Sequence, residues 1–166
     1  MFQALRQHRL KDKFSKCQFA QRKLAFLGHE ISAEGVATDA SKVQAVKSWE
    51  VPKNVKEVRS FLGFVGYYRR HIRDFGIISR SLFDLLKKGA VFVWTQQTEE
   101  DFQTLKKALI SAPVLALPNF QVPFEVETDA CDYGVGAVLM QKGHPIAFLS
   151  KALGPKNRGL STYEKE

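Results

Sequence analysis

The sequence predicts an α+β chain in which strands open and close the polypeptide and helices fill its middle. Three observations carry that reading. On either side of Asp129 and a Gly-bearing bend, the apolar residues Phe124, Val126, Val135, Ala137 and Leu139 recur at every second position, the pattern of two strands joined by a turn. Between Thr38 and Lys88 the period becomes helical, with Asn54 and Glu57 spaced as a variant of the capping box. Near the C-terminus Ser161 and Glu164 repeat that spacing, which predicts a helix that begins there.

Charge divides the chain. The 166 residues carry a formal net charge of +8 and are 45% hydrophobic, enough for a core. Residues 1–90 hold 18 Lys or Arg against 8 Asp or Glu, a formal +10, whereas residues 91–166 hold 7 against 9, a formal −2. A basic face holds polyanions through phosphate contacts, and a locally acidic site attracts cations. The split therefore suits a chain that grips nucleic acid with one part and chelates metal with another, although surplus lysine also serves solubility alone. Cys17 and Cys131 lie far apart with no Cys or His at zinc spacing, and His8, His29, His71 and His144 are scattered, so neither a disulfide framework nor a His-based metal site or triad is expected. No apolar run approaches the roughly 20 residues of a membrane span. The opening Met-Phe-Gln-Ala-Leu-Arg-Gln-His-Arg-Leu lacks the apolar core of a secretory signal, so an intracellular protein, cytoplasmic or nuclear, is expected.

In chain order, Phe2, Leu5 and Leu10 predict a short helix, and Lys16–Ala20 and Leu24–Ile31 read as strands, with Ala33-Glu34-Gly35 turning before Val36. So little sheet is marginal in water, and either a partner domain or missing upstream sequence is expected to complete it. Thr38 or Asp39 caps a helix with Val43, Val46 and Trp49 on one face, stopped by Pro52. A longer helix is expected from Val55 to about Arg73. Val58, Leu62, Val65, Tyr68 and Ile72 form its apolar stripe, and Lys56, Arg59, Gly63, Gly66, Arg70 and Arg73 lie nearly opposite. Each glycine costs a helix roughly 1 kcal/mol against Ala, so two of them between basic residues imply close approach of something bulky. A phosphate backbone or a neighbouring helix would fill that role. Ser79–Lys88 predicts a third helix, closed by Gly89. Val91–Trp94 reads as a short strand, Thr98 as the cap of a helix over Glu99–Ile110, Ser111–Phe120 as an extended connector, and Pro145–Leu149 as a strand.

Asp129 falls at a strand end, where its oxygens are placed either to shape a turn or to hold a divalent cation. At the C-terminus Glu164 is occupied by capping, whereas Glu166, two positions on, points roughly the other way. One turn of helix is unstable alone, so the chain is expected to be truncated.

Four motifs carry a resemblance: Lys23-Leu-Ala-Phe-Leu-Gly-His-Glu-Ile-Ser32, Val58-Arg-Ser-Phe-Leu-Gly-Phe-Val-Gly-Tyr-Tyr-Arg-Arg-His-Ile72, Thr128-Asp-Ala130 with Gly134-Val-Gly-Ala-Val-Leu139, and Tyr163-Glu-Lys-Glu166. In this order they make the chain similar, over nearly its whole length, to the Pol polyprotein of gypsy-type long-terminal-repeat retrotransposons. The resemblance implies the end of a reverse-transcriptase palm at residues 1–37, with Phe26, Leu27, Gly28 and His29 as primer-grip hairpin. It implies a helical thumb at 38–90, a connection at 91–120, and the N-terminal part of a ribonuclease H-like mixed α/β domain, truncated, at 121–166. The partner of the basic stripe becomes an RNA-DNA hybrid or DNA duplex, and the rest of the Pol polyprotein is a further partner. Asp129 matches the first catalytic Asp and Glu166 the catalytic Glu of a ribonuclease H that uses two Mg2+ ions. The later carboxylates and the polymerase aspartates have no counterpart in this chain, and Cys131 stands where Ser is usual. The resemblance thus implies a segment without either activity alone; a co-opted non-enzymatic module binding nucleic acid or protein, and a relic without selected function, are the alternatives.

Overall fold

A computed structural model describes residues 2–11, 13–154, 157, 159 and 161–165. A one-and-a-half-turn helix, α1 (Phe2–Gln7), leads to a three-stranded antiparallel meander of β1 (Lys23–Phe26), β2 (His29–Ser32) and β3 (Gly35–Thr38). The β1–β2 connection is the two-residue turn Leu27-Gly28, with φ of 48° and 77°. Positive φ at both positions gives the turn the twist that adjoining strands need. The expected partner for this small sheet lies partly within the chain: Val36 and the connector residue Leu115 exchange backbone hydrogen bonds of 2.8 and 2.9 Å. Gly35, at φ 135°, is required there, because a Cβ would collide with the Leu115 carbonyl.

Helices follow in the expected order, with shifted ends. Asp39 caps α2 (Ala40–Lys47) by accepting from the Ser41 amide at 2.7 Å. Asn54 caps α3 (Val55–Tyr67) by accepting from the Glu57 amide at 3.0 Å, and Glu57 reaches back to the Lys53 amide at 2.7 Å. That helix stops at Tyr67 rather than Arg73. Tyr68, His71 and Ile72 are buried, and Tyr68 and His71 bond the first sheet and the connector, so the chain passes into a 3-10 turn, Arg69–His71, and a left-handed Asp74. Arg70 and Arg73 therefore lie beyond α3. The third helix is also redrawn, as α4 (Phe75–Ile78) and α5 (Arg80–Asp84) meeting at buried Ser79.

Two expected strands do not form. Lys16–Ala20 follows a 3-10 turn, Phe14–Lys16, and has no strand partner; Phe19 instead meets the rings of Phe2 and Phe14 at 5.7 and 6.3 Å. Val91–Trp94 leads into α6 (Gln96–Ile110), where Trp94 donates to Glu99 at 2.7 Å and packs on Phe102 at 5.8 Å. The cap of α6 is Thr95, which accepts from the Thr98 amide, three residues before the expected cap Thr98.

The core is helical. Val46 of α2, Val58, Phe61 and Val65 of α3, Leu82 of α5, and Phe102, Leu105 and Leu109 of α6 bury almost completely in one cluster. The segment expected as a connection thus contributes α6 to the same core as α3. Beyond it stands a second antiparallel sheet, β4 (Glu125–Ala130), β5 (Gly134–Gln141) and β6 (His144–Ala152), so the strands predicted around Asp129 form in the predicted order. Gly76 of α4 docks this sheet, its amide donating to the Ser150 hydroxyl at 2.7 Å. Gln141 ties the sheet to the connector by accepting from the Asn119 amide at 3.0 Å and donating to the Asn119 and Val122 carbonyls at 2.8 Å. The first turn of α7 (Thr162–Lys165) carries the capping box, with Ser161 and Glu164 bonding each other's amides at 2.9 and 3.4 Å.

Candidate nucleic-acid interface

The basic residues expected on one helix divide into two groups. Lys56, Arg59 and Gly63 lie exposed on α3, and Arg70 and Arg73 lie exposed in and after the 3-10 turn, joined there by Arg69. None of these five cations forms an ion pair among the described residues. A Cβ on Gly63 would meet nothing within 4 Å, and one on half-buried Gly66 would meet only Phe75, at 3.7 Å. Among the described residues no neighbouring helix packs on Gly63, so the close approach that its absent side chain permits is open to a partner outside the chain.

At the end of α3 the adjacent Tyr67 and Tyr68 reach the β1–β2 turn. The Tyr67 hydroxyl donates to the Leu27 carbonyl at 2.5 Å, and that of Tyr68 to the Gly28 carbonyl at 2.9 Å. His29 sits against both rings and stacks on His71 at 5.4 Å and 26°. Phe26, Leu27, Gly28 and His29 are therefore brought together with the end of α3, and the side chains of Phe26 and Leu27 remain exposed. The tyrosines were missing from the sequence-based candidates; their pairing before Arg69-Arg70 was visible, but not their target across the fold.

His71 is the buried imidazole of this junction, 3% exposed, with Nδ1 facing the Pro113 carbonyl at 3.5 Å. Burial pushes its pKa below the usual histidine value; the Pro113 carbonyl opposes that shift and neighbouring His29 adds to it. Between the lowered folded value and the unfolded value of about 6.5, the unfolded chain binds more protons, so stability rises with pH there. The contribution is complete above pH of about 6.5 and is lost as pH falls through the folded value. Denaturant midpoints should fall on acidification through this window, and His71→Gln should flatten that fall; an unchanged pH dependence in the variant would contradict the assignment.

Asp129 lies next to last in β4, opposite Gly136 of β5, and is exposed. A cavity of about 350 Å³ is lined by Asp129, Glu127, Asp74, Arg73 and Gly136 among others. A Cβ on Gly136 would stand 2.9 Å from Asp74 Oδ1, so the absent side chain lets the Asp74 carboxylate lie close to β5. Asp74 was not foreseen, since its left-handed backbone follows a turn that the helical period hides. A second cavity, about 290 Å³, places Lys165 with Asp129. Lys165 reaches Asp132 in the β4–β5 bend at 2.8 Å, which ties α7 to the strand end and holds the Asp132 carboxyl below its usual range. Glu166 lies outside the described residues. Carboxylate oxygens are the donors a hard cation such as Mg2+ prefers. Among the described residues, however, no group of three or more His, Cys, Asp or Glu is arranged to hold a metal, so Asp129 fits in donor type without a described ligand set. No helix of the described residues is long and apolar enough to cross a membrane, and both cysteines are free.

Residues 94–166 match the RNase H-like domain found in reverse transcriptase. Across its full length the chain is 39% identical to the retrovirus-related Pol polyprotein from transposon 297 of Drosophila melanogaster, covering 16% of it. Identity to the Pol polyprotein from transposon gypsy of the same fly is 37% over 91% of the chain and 16% of that protein. An uncharacterized mitochondrial protein of Arabidopsis thaliana is 44% identical over 75% of the chain and 79% of its own length. The chain thus spans about one sixth of these fly polyproteins. In fold it resembles the foamy viral protease-reverse transcriptase. The likeness to its complex with RNA/DNA hybrid has TM-score 0.80 at 22% identity, covering 91% of this chain and 21% of that one. To its complex with double-stranded DNA it has TM-score 0.78 at 23% identity, covering 87% and 31%.

Proposed function

Because the chain belongs to the family of retrovirus-related Pol polyproteins of transposons, we propose that it grips a nucleic-acid duplex through Lys56, Arg59, Arg70 and Arg73, with Gly63 and Gly66 admitting the phosphate backbone. The observation that carries this reading is the exposure of four cations without carboxylate partners among the described residues, beside a glycine whose missing side chain leaves open space. Partnered cations would be neutralised within the fold; unpartnered ones release counterions when they meet phosphate. RNA-DNA hybrid and DNA duplex are the proposed ligands. The proposed organisation has residues 1–37 as the end of the palm, 38–90 as thumb, 91–120 as connection and 121–166 as the start of the ribonuclease H-like domain. Duplex titrations of the wild-type chain and the Arg70→Glu/Arg73→Glu variant test the reading.

Asp129 and Glu166 are the proposed metal ligands. Magnesium bound there would activate water and stabilise a leaving oxygen. The chain's own contribution is placement: strand pairing fixes Asp129, and the Asp132–Lys165 ion pair holds the residue before Glu166 near it. Two carboxylates are too few to hold two ions, so the chain by itself is expected to leave an RNA-DNA hybrid intact. Magnesium-dependent cleavage that Asp129→Asn abolishes would contradict that expectation.

A further inference from the structure

We propose that Tyr67 and Tyr68 are positioning residues whose hydroxyls clamp the Leu27-Gly28 turn to the end of α3, so that the hairpin tip and the basic face engage a duplex end as one rigid unit. The inference rests on the duplex-binding reading and adds to it the coupling between the two parts. Both carbonyls of the turn are held twice: Leu27 O accepts from Tyr67 at 2.5 Å and lies 3.1 Å from His29 Nδ1, and Gly28 O accepts from Tyr68 at 2.9 Å and from the Asp39 amide at 3.1 Å. Four-residue strands joined by a two-residue turn would otherwise leave the tip weakly fixed. The approach is built into the backbone, because a Cβ on Gly28 would stand 2.8 Å from the Tyr68 hydroxyl.

The exposure of the parts fits a presenting role. Tyr67 is 55% exposed, yet its hydroxyl is bound to backbone, while Phe26 and Leu27 at the tip are 54% and 70% exposed. Tyr67 also lines, with His29, His71 and Arg70, a cavity of about 450 Å³, so the clamp adjoins one of the arginines proposed to hold phosphate. Apolar side chains gain nothing from phosphates along a duplex, whereas the flat face of a terminal base pair offers them apolar contact. Arginines then supply affinity for any duplex, and the clamped tip supplies preference for one with an end.

The test uses the full chain with two DNA ligands of equal length: a duplex with one recessed end and the other closed by a loop, and a dumbbell closed at both ends. Wild type should bind the recessed duplex more tightly. Tyr67→Phe/Tyr68→Phe, which deletes only two hydroxyls, should lower that preference about fivefold or more, the worth of roughly one hydrogen bond, with dumbbell affinity and salt slope kept within about twofold. Hydrogen exchange provides the second measurement, with the amides of residues 26–29 exchanging faster in the variant and those of α6 unchanged. Retained end preference in the variant, equal loss on both ligands, or unchanged exchange at the turn would overturn the proposal. Failure of the wild type to bind the dumbbell would overturn the duplex reading and the end-engagement built on it, and the exchange data would still decide whether the hydroxyls clamp the turn.

Discussion

Phe61→Ala should cost about 3–5 kcal/mol of folding stability, the usual range for emptying a large aromatic site in a packed core. Phe61 is fully buried, with its ring 4.6 Å from Phe102 of α6 and 5.7 Å from Trp49 just past α2. Its two ring neighbours come from α6 and from the segment just past α2, so the groups that would have to collapse into the void belong to separate elements. Equilibrium denaturation should show a lower midpoint with little change in slope. Val126→Ala, on a strand residue that is 63% exposed, should stay within about 0.5 kcal/mol. Similar losses in the two variants would place the core elsewhere.

Arg70→Glu/Arg73→Glu should weaken duplex binding by about 10- to 100-fold near 100 mM salt, since two phosphate contacts are lost and two repulsions replace them. Both side chains are exposed, and neither forms an ion pair among the described residues, so the reversal breaks no such pair within the fold and the folded state should persist. That separates this variant from Phe61→Ala, whose loss of binding would follow from loss of structure. Reversal of Lys56 and Arg59 should act in the same direction, because α3 carries the other half of the face.

How much of this was legible in the sequence depended on whether the deciding contact was local. The β4–β5 hairpin followed from alternation alone, and the Asn54–Glu57 cap from spacing, because strand pairing and capping are decided by neighbours in the chain. The end of α3 was not legible. Tyr68 and Ile72 continue the helical period and are both buried, so the pattern is the same whether the chain stays helical or turns to dock. What ends the helix is the bonding of Tyr68 and His71 to Gly28 and Pro113, each about 40 residues away. Val91–Trp94 alternates like a strand but finds rings rather than a strand to pair with. Thr95 and Thr98 are both plausible caps by type, and the hydroxyls bond each other at 2.9 Å; only the backbone shows that Thr95 is the cap. At the candidate metal site, Asp129 was visible as a strand-end carboxylate, whereas Asp74 and Arg73 reach the same cavity from a turn whose position the helical period concealed.

The central claim, that the exposed cations of α3 and the arginine turn grip a duplex, is tested most directly by the salt dependence of binding. Affinity for a DNA duplex or RNA-DNA hybrid would be measured by fluorescence anisotropy from low to moderate salt. Four phosphate contacts predict a slope of log K against log salt of about −3 to −4, reduced by about 2 in Arg70→Glu/Arg73→Glu. A wild-type slope near zero, or a slope that the charge reversal leaves unchanged, would contradict it.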